Sequence, residues 1–109
     1  MRQGTVYYNE IIAGVITELN DGSYVFNYED TYFSNSSLPP ISVTIPKTKQ
    51  LHKLKTLFPF FYNMLSEGAN RKIQCRVLKV DEDDDFGLLL KTGAQETIGA
   101  ITVEEKNGV

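Results

Sequence analysis

Two strand-like segments joined by a tight-turn signal constrain the fold of this chain more than any other feature. Residues 11–19 are apolar and β-branched, and residues 23–29 alternate between apolar and polar side chains, which is typical of strands. Between them, Asn20-Asp21-Gly22 supplies the positive φ that a hairpin turn needs. Gly14 indicates a bulge or a close approach of another segment. We therefore predict an antiparallel hairpin whose second strand turns three aromatic side chains to one face: Tyr24, Phe26 and Tyr28.

Three further segments have the composition of short strands. Residues 5–10, 41–45 and 98–103 combine β-branched or aromatic side chains with polar neighbours. Residues 30–40 are rich in serine, asparagine and proline and are predicted to form a loop. Residues 47–55 contain four lysines and are predicted to form a mobile basic loop.

Helical spacing begins near Thr56, where apolar side chains recur every three or four residues, and Gly68 is a candidate C-cap for this helix. These apolar positions are Leu57, Phe60, Phe61, Met64 and Leu65. Asn70 is a candidate cap for a second helix with a shared apolar face, formed by Ile73, Val77 and Val80. A third helix is predicted over residues 86–91 and is closed by Gly93.

The order of strands, then helices, then one strand predicts an α+β fold. We expect a curved antiparallel sheet or small open barrel of about five strands, with two to three short helices packed on one side. The 109 residues suffice for one domain, which we place at residues 1–104. Residues 105–109 are predicted to form a polar tail that is frayed from Glu104 onward.

Composition narrows the classes of function. The formal net charge is -3, which gives no general support for binding to nucleic acid or to anionic membranes. Cys75 is the only cysteine, so it forms no intrachain disulfide, and we expect it to be a small buried apolar side chain. The sequence shows neither a signal peptide nor an apolar run long enough to cross a bilayer, so we expect a cytoplasmic protein.

Four segments, in order, resemble the N-terminal subdomain of HipA-type serine/threonine kinases. Pro40-Ile41-Ser42-Val43-Thr44-Ile45-Pro46 is similar to the family's P-L-S-x-S-L-P strand, and FFYNMLSEG resembles its FF-x-N-L-L-P-E-G segment. Asp84-Asp85-Phe86-Gly87-Leu88-Leu89 resembles D-D-P-F-x-L-L with one residue missing. Gly93, with Gly99-Ala100-Ile101, resembles G-x-D-x-x-G-A-L. The match implies structural roles for Phe60, Asn63, Gly68, Phe86, Leu88, Leu89, Gly93, Gly99 and Ala100.

This resemblance is to one subdomain and not to the kinase core. It implies a protein of the HipS type, which in HipBST toxin–antitoxin systems binds and restrains a separate kinase. The implied partner is therefore a HipA- or HipT-type kinase, with a HipB-type DNA-binding repressor as a possible third component. Ser66 and Met64 depart from the family's proline and leucine, and the chain has no tryptophan.

The aromatic cluster around residue 60 is the candidate partner-binding region. Phe58, Phe60, Phe61 and Tyr62 span too much of a helix circumference for one apolar stripe. We expect two or three of them in the core, with Tyr62 the most exposed. Exposed aromatic side chains commonly anchor protein interfaces. The predicted docking surface carries Phe61, Tyr62, Leu65 and Glu67.

Other candidate sites favour structural interpretations. The acidic run over residues 81–85 lacks the later ligands of a calcium loop, and helix capping explains it better. His52 is the only histidine, and no motif links it to a nucleophile. The sequence has neither a P-loop nor the catalytic aspartates of a kinase. We therefore predict no enzymatic activity, no cofactor and no metal.

Two alternatives remain. The chain is equally consistent with the excised N-terminal subdomain of a longer HipA-type kinase, where its role is structural support. A second alternative is a small-barrel nucleic-acid module, in which strand aromatics stack on bases and residues 47–55 contact phosphate. Its stacking residues would be Tyr7, Tyr24, Phe26 and Tyr28.

Overall fold

A computed structural model describes residues 1–95 and 99–106, and this part of the chain folds as an open antiparallel sheet with short helices. The strands are β1 (Gln3–Tyr8), β2 (Ile11–Glu18), β3 (Tyr24–Tyr28), β4 (Leu51–Leu54) and β5 (Ile101–Lys106), and their spatial order is β4-β3-β2-β1-β5. The helices are α1 (Asp30–Ser34), α2 (Pro59–Tyr62), α3 (Gly68–Leu78) and α4 (Asp85–Thr92). All paired strands are antiparallel, which confirms the α+β prediction.

The predicted hairpin is present between β2 and β3. Gly22 has a φ of 87°, and the Leu19 N–H donates to the Ser23 carbonyl across the turn at 2.8 Å. A register shift leaves Ala13 without a partner on β1, which is the bulge that Gly14 indicated. A Cβ on Gly14 would collide with the backbone carbonyl of Asn27, so the predicted close approach is confirmed as well.

The core lies between one face of the sheet and the helices. Phe26 and Tyr28 on β3 are fully buried, as are Val6 on β1 and Ile16 on β2. Helix α4 covers this face, and the ring centroids of Phe86 and Tyr24 lie 5.5 Å apart. Asp84 accepts a hydrogen bond from the Gly87 N–H at 3.0 Å, which confirms a capping role within the acidic run.

The fourth strand lies elsewhere than predicted. Residues 41–45 form a turn with one isolated bridge between Ser42 and Ile45, and the Tyr28 hydroxyl donates to the Ile45 carbonyl and accepts from the Ile41 N–H. Both isoleucines are buried, which produced the strand-like alternation. The fourth strand is β4 instead, in the segment predicted to be a mobile loop. Its buried His52 bonds through Nε2 to the Pro46 and Lys49 carbonyls.

The segment predicted to be a loop over residues 30–40 begins with helix α1. Glu29 caps it, because its carboxylate accepts from the backbone N–H groups of Thr31 and Tyr32. Tyr32 is buried, and its ring stacks on Tyr28 with centroids 5.9 Å apart. The Lys47 ammonium lies 5.1 Å above the Tyr32 ring and secures the loop that follows. A tertiary anchor thus outweighs the loop-forming composition of this segment.

The helices after residue 56 also differ from the prediction. Helix α2 is a single turn with Pro59 in its first turn, and Gly68 begins α3 at a φ of 63° instead of closing α2. Asn70 lies within α3, whose N-cap is Glu67. The apolar face predicted for this helix does not pack as one unit: Ile73 and Val77 are exposed, whereas Val80 lies beyond the helix end and is half-buried against the core. Cys75 is the one buried residue of α3, as expected for the cysteine.

The end of the described chain is more ordered than predicted. Strand β5 pairs with β1 as far as Lys106 opposite Gln3, so Glu104 belongs to the sheet and is not part of a frayed tail. The strand begins at Ile101, and Ile98 of the predicted strand lies outside the described residues. Arg2 fixes the other terminus, because its guanidinium bonds to the carboxylates of Glu18 and Asp84. Backbone pairing therefore extends two residues beyond the predicted domain boundary.

Candidate protein-binding surface

Helix α2 orients the predicted docking residues in opposite directions. Phe61 is fully buried, with its ring centroid 6.1 Å from that of Phe26 and 6.1 Å from that of Phe58. Leu65 is also buried, in the turn that follows. The structure therefore contradicts the prediction that Phe61 and Leu65 lie at the surface. Phe61 packs against β3 from within the single turn of α2, and Leu65 belongs to the core that continues into the turn after this helix.

Tyr62 and Glu67 are the two predicted docking residues whose side chains are exposed. The Tyr62 side chain is 43% exposed at the end of α2, and Glu67 is exposed just before α3. Of the four aromatic residues in the cluster, Phe58 and Phe61 are buried and Phe60 is half-buried. The prediction that Tyr62 would be the projecting aromatic is confirmed.

Tyr62 and Glu67 line an open cleft of about 360 Å³. Arg71, which the sequence analysis did not single out, lines the same cleft. Arg71 on α3 donates to the Glu82 carbonyl at 2.6 Å and to the Asp85 carboxylate at 2.6 Å. The hydrogen bond that Arg71 donates to Asp85 is the main reason that the pKa of Arg71 is raised, which holds the guanidinium in its charged form. The acidic side of the cleft consists of Glu82, Asp83 and Asp85.

The charge of this cleft defines what it is able to bind. Four carboxylates line or border it, and one arginine is already committed to Asp85. An exposed tyrosine beside an excess of carboxylates is suited to a basic side chain, through ion pairing and a cation–π contact. The position of Arg71 four residues after Glu67 was the one available sequence signal for this arrangement.

Three of the other family-motif residues lie in the core. Phe86, Leu88 and Leu89 are buried on α4, and Asn63 is exposed at the end of α2. Gly93 ends α4 against β5, where a Cβ would lie 2.8 Å from that of Val103. Gly99 has a φ of 60°, and the Ala100 carbonyl accepts from the Asn9 N–H at 3.0 Å. Gly93 therefore permits the close approach of α4 to β5, and Gly99 supplies a positive φ just before β5.

The base-stacking surface of the nucleic-acid alternative does not form. Phe26 and Tyr28 are buried, and Tyr24 packs edge-on against Phe86. Burial raises the pKa of Tyr24 to about 12, consistent with a phenol held away from solvent. Tyr7 lies on the opposite face of the sheet, because successive strand residues alternate between faces. The four aromatic residues therefore share no exposed platform.

Fold and surface together define a small α+β domain without an evident reaction centre among the residues described here. Within those same residues no group of three His, Cys, Asp or Glu side chains is placed to hold a metal ion. None of the described helices is both long and apolar enough to span a bilayer. The described residues do form an open cleft lined by carboxylates and one exposed tyrosine.

The chain belongs to the HipA N-terminal domain family, whose model matches residues 4–104. Its fold is similar to a solved N-terminal domain of HipA toxin, with a TM-score of 0.74, 24% identity, and coverage of 100% of this chain and 96% of that one. This domain is not the catalytic part of the kinase. The resemblance that the sequence motifs indicated is thereby confirmed.

Relatives contain this domain in proteins of two sizes. A putative kinase of Sinorhizobium fredii, Y4mE, is 27% identical over 96 residues, which cover 88% of this chain and 23% of that protein. A second putative kinase of that organism, Y4dM, is 29% identical, with 93% and 26% covered. An uncharacterised protein of Haemophilus influenzae is 30% identical over 107 residues, with 97% and 94% covered. The chain thus spans about a quarter of the putative kinases and nearly all of the Haemophilus protein.

Proposed function

We propose that this protein is a non-catalytic binding subunit that docks on a separate HipA-type serine/threonine kinase in the cytoplasm and modulates its toxicity. The observation that carries the proposal is the cleft at Tyr62, Glu67 and Arg71, at the end of the family's FF-x-N segment. The family membership supports a kinase as the partner. The Haemophilus relative supports a domain that acts as a separate subunit, because its length is nearly that of this chain.

The proposed mechanism is steric and conformational. Tyr62 would anchor the contact, and the carboxylates around it would pair with a basic segment of the kinase. Phe61 and Leu65 would contribute indirectly, because they hold α2 against the sheet and so fix the direction of Tyr62. A HipB-type repressor is the expected third component of such a system.

Calorimetric titration with the kinase encoded by the neighbouring reading frame tests this proposal. We expect the double variant Tyr62→Ala, Glu67→Lys to bind at least about tenfold more weakly, since it removes the anchor and reverses one charge. The matched control is Val43→Ala with Glu10→Lys, which changes a 92% exposed side chain and an exposed carboxylate away from the cleft.

One result would count against the proposed docking surface, and another would count against the proposed partner. If the folded Tyr62→Ala, Glu67→Lys variant binds as tightly as the wild type, the docking surface is misplaced. If the wild-type protein does not bind the kinase, or if the neighbouring reading frame encodes no kinase, the partner itself is wrong. Continuation of the same reading frame into a kinase core would favour the alternative of an N-terminal structural subdomain.

A further inference from the structure

The outward side of α3 carries an apolar pair that the fold leaves uncovered. Ile73 is 57% exposed and Val77 is 71% exposed, and four residues separate them, so they are neighbours on one helix face. Ile73 lies about 200° around the helix axis from Arg71, given 3.6 residues per turn. This face is therefore on the opposite side of α3 from the cleft at Tyr62.

The apolar pair borders a groove formed by two helices. Leu78, which is 37% exposed, extends the pair toward the last turn of α4, and the groove between α3 and α4 holds about 290 Å³. Its opposite wall consists of Lys91, Thr92 and Gln95. Apolar residues in a concave, two-walled groove are suited to receive side chains of a partner segment, whereas a helix that lies on a membrane presents a convex face.

Basic side chains lie on both sides of the apolar pair. Lys72 and Arg76 lie along one side of the apolar pair and are exposed, and among the described residues neither forms a salt bridge. Asp81 and Glu82 lie across an open cleft from them, beyond ion-pair distance. On the other side, Lys91 forms only a long contact of 3.4 Å to Glu105. An apolar stripe with unpaired cations beside it thus lies on a chain whose net charge is -3.

We propose that this groove, which we call the α3 groove and define by Ile73, Val77, Leu78 and Lys91, binds an acidic amphipathic helix of a partner protein. The apolar face of that helix would cover the isoleucine and the valine. Its carboxylates would pair with Lys72 and Arg76, which supplies the charge complementarity that selects this occupant. The inference is independent of the kinase, because the α3 groove and the cleft at Tyr62 share no lining residue.

A synthetic helical peptide of about 18 residues, long enough to exceed the length of α3, is the probe. It carries leucines on one face and glutamates beside them, and fluorescence anisotropy reports its binding to the full chain. We expect saturable binding that weakens as salt increases. A peptide with lysine in place of each glutamate is expected to bind at least about tenfold more weakly, as is a scrambled peptide of the same composition.

Two double variants locate the binding site. Ile73→Ser with Val77→Ser removes the apolar contact, and Lys72→Glu with Arg76→Glu reverses the flanking charge. Each is expected to weaken binding of the glutamate peptide at least about tenfold, and the charge-reversed protein is expected to prefer the lysine peptide. Matched controls on the exposed edge of the sheet are Leu51→Ser with Leu54→Ser, and Lys53→Glu with Lys55→Glu.

Several outcomes would overturn the inference. Equal binding of the scrambled peptide, or unchanged binding by both folded α3 variants, would show that the groove is not the site. Two further results would show that the groove binds something other than an acidic helix. One is binding to vesicles of phosphatidylcholine and phosphatidylserine that the serine variants abolish. The other is a concentration-dependent dimer, seen by sedimentation, that the same variants dissolve. Retained kinase binding in the α3 variants would separate this test from that of the proposed function.

Discussion

Helices α3 and α4 lie close together in sequence, yet the fold uses them in opposite ways. Helix α4 buries six of its eight residues, and its N-terminus is capped and clamped by Arg2. Helix α3 is longer, but Cys75 is its one buried residue. Apolar side chains on α4 therefore contribute to the core, whereas those on α3 are exposed to solvent. The contrast shows that the number of apolar side chains in a helix does not predict whether those side chains are buried in the core or exposed at the surface.

The first prediction compares how much α4 and α3 contribute to the stability of the fold. Leu89→Ala removes a fully buried side chain of α4 and is expected to reduce the free energy of unfolding by about 2–5 kcal/mol. Val77→Ala on α3 is expected to change it by no more than about 0.5 kcal/mol, because that side chain is already in water. Urea unfolding measures both values. Equal losses would show that α3 is part of the cooperative core.

The second prediction concerns the cap of α4. Asp84→Ala removes the bond to the Gly87 N–H and both bonds to Arg2, which are 2.8 and 2.9 Å long. We expect a loss of about 1–2 kcal/mol in unfolding free energy. The neighbouring exposed Asp83→Ala is the control and should change the unfolding free energy little. A loss as large for Asp83 as for Asp84 would assign the effect to net charge and not to the cap.

The third prediction uses pH to examine the same carboxylate. The bond from Arg2 lowers the pKa of Asp84 below its usual value, so the folded state favours the ionised form. This contribution to stability is fully present above the unfolded pKa of about 3.9 and is lost as the pH falls through the lower folded value. Asp84→Asn removes this titration. The stability difference between the wild type and Asp84→Asn should therefore be constant from neutral pH to about pH 5 and should shrink below about pH 4. If this stability difference did not change with pH, the ionisation of Asp84 would not be coupled to folding.

The fourth and smallest effect is expected at the end of α3. Lys79 adopts the left-handed conformation with a φ of 59°, which glycine adopts at no steric cost. Lys79→Gly is expected to raise the unfolding free energy by about 0.5–1 kcal/mol. Arg76→Gly, inside the same helix, is expected to lower it by about 1 kcal/mol. Thermal unfolding followed by circular dichroism distinguishes the two signs.

Short sequence patterns predicted correctly those features that depend on neighbouring residues. The turn at Asp21 and Gly22, the bulge beside Gly14 and the cap of α4 each depend on residues that are close in sequence. The choice of the fourth strand was missed because it depends on Tyr28. Its hydroxyl holds Ile41 and Ile45 in a turn, so β3 pairs with the segment around His52. No local pattern reports such a distant anchor.

The candidate sites show the same division. Tyr62 was predicted to project, and it does, because four neighbouring aromatic residues cannot share one buried stripe. Phe61 and Leu65 were placed on the docking surface, but both are buried: Phe61 packs against Phe26 of β3, and Leu65 lies in the turn after α2. Arg71 was not identified as part of the cleft, since its partners come from the loop before α4.

By itself, the sequence determined the α+β class, the central hairpin and the family. The class and the hairpin follow from alternation and turn chemistry, which act over a few residues. The family follows from the resemblance of four motifs in order along the chain. Only the tertiary structure decided which side of α3 faces the core. Arg71 ties one side of that helix to Glu82 and Asp85, so Ile73 and Val77 must point away. Periodicity identifies an apolar face, but the contacts across the fold determine whether that face is buried.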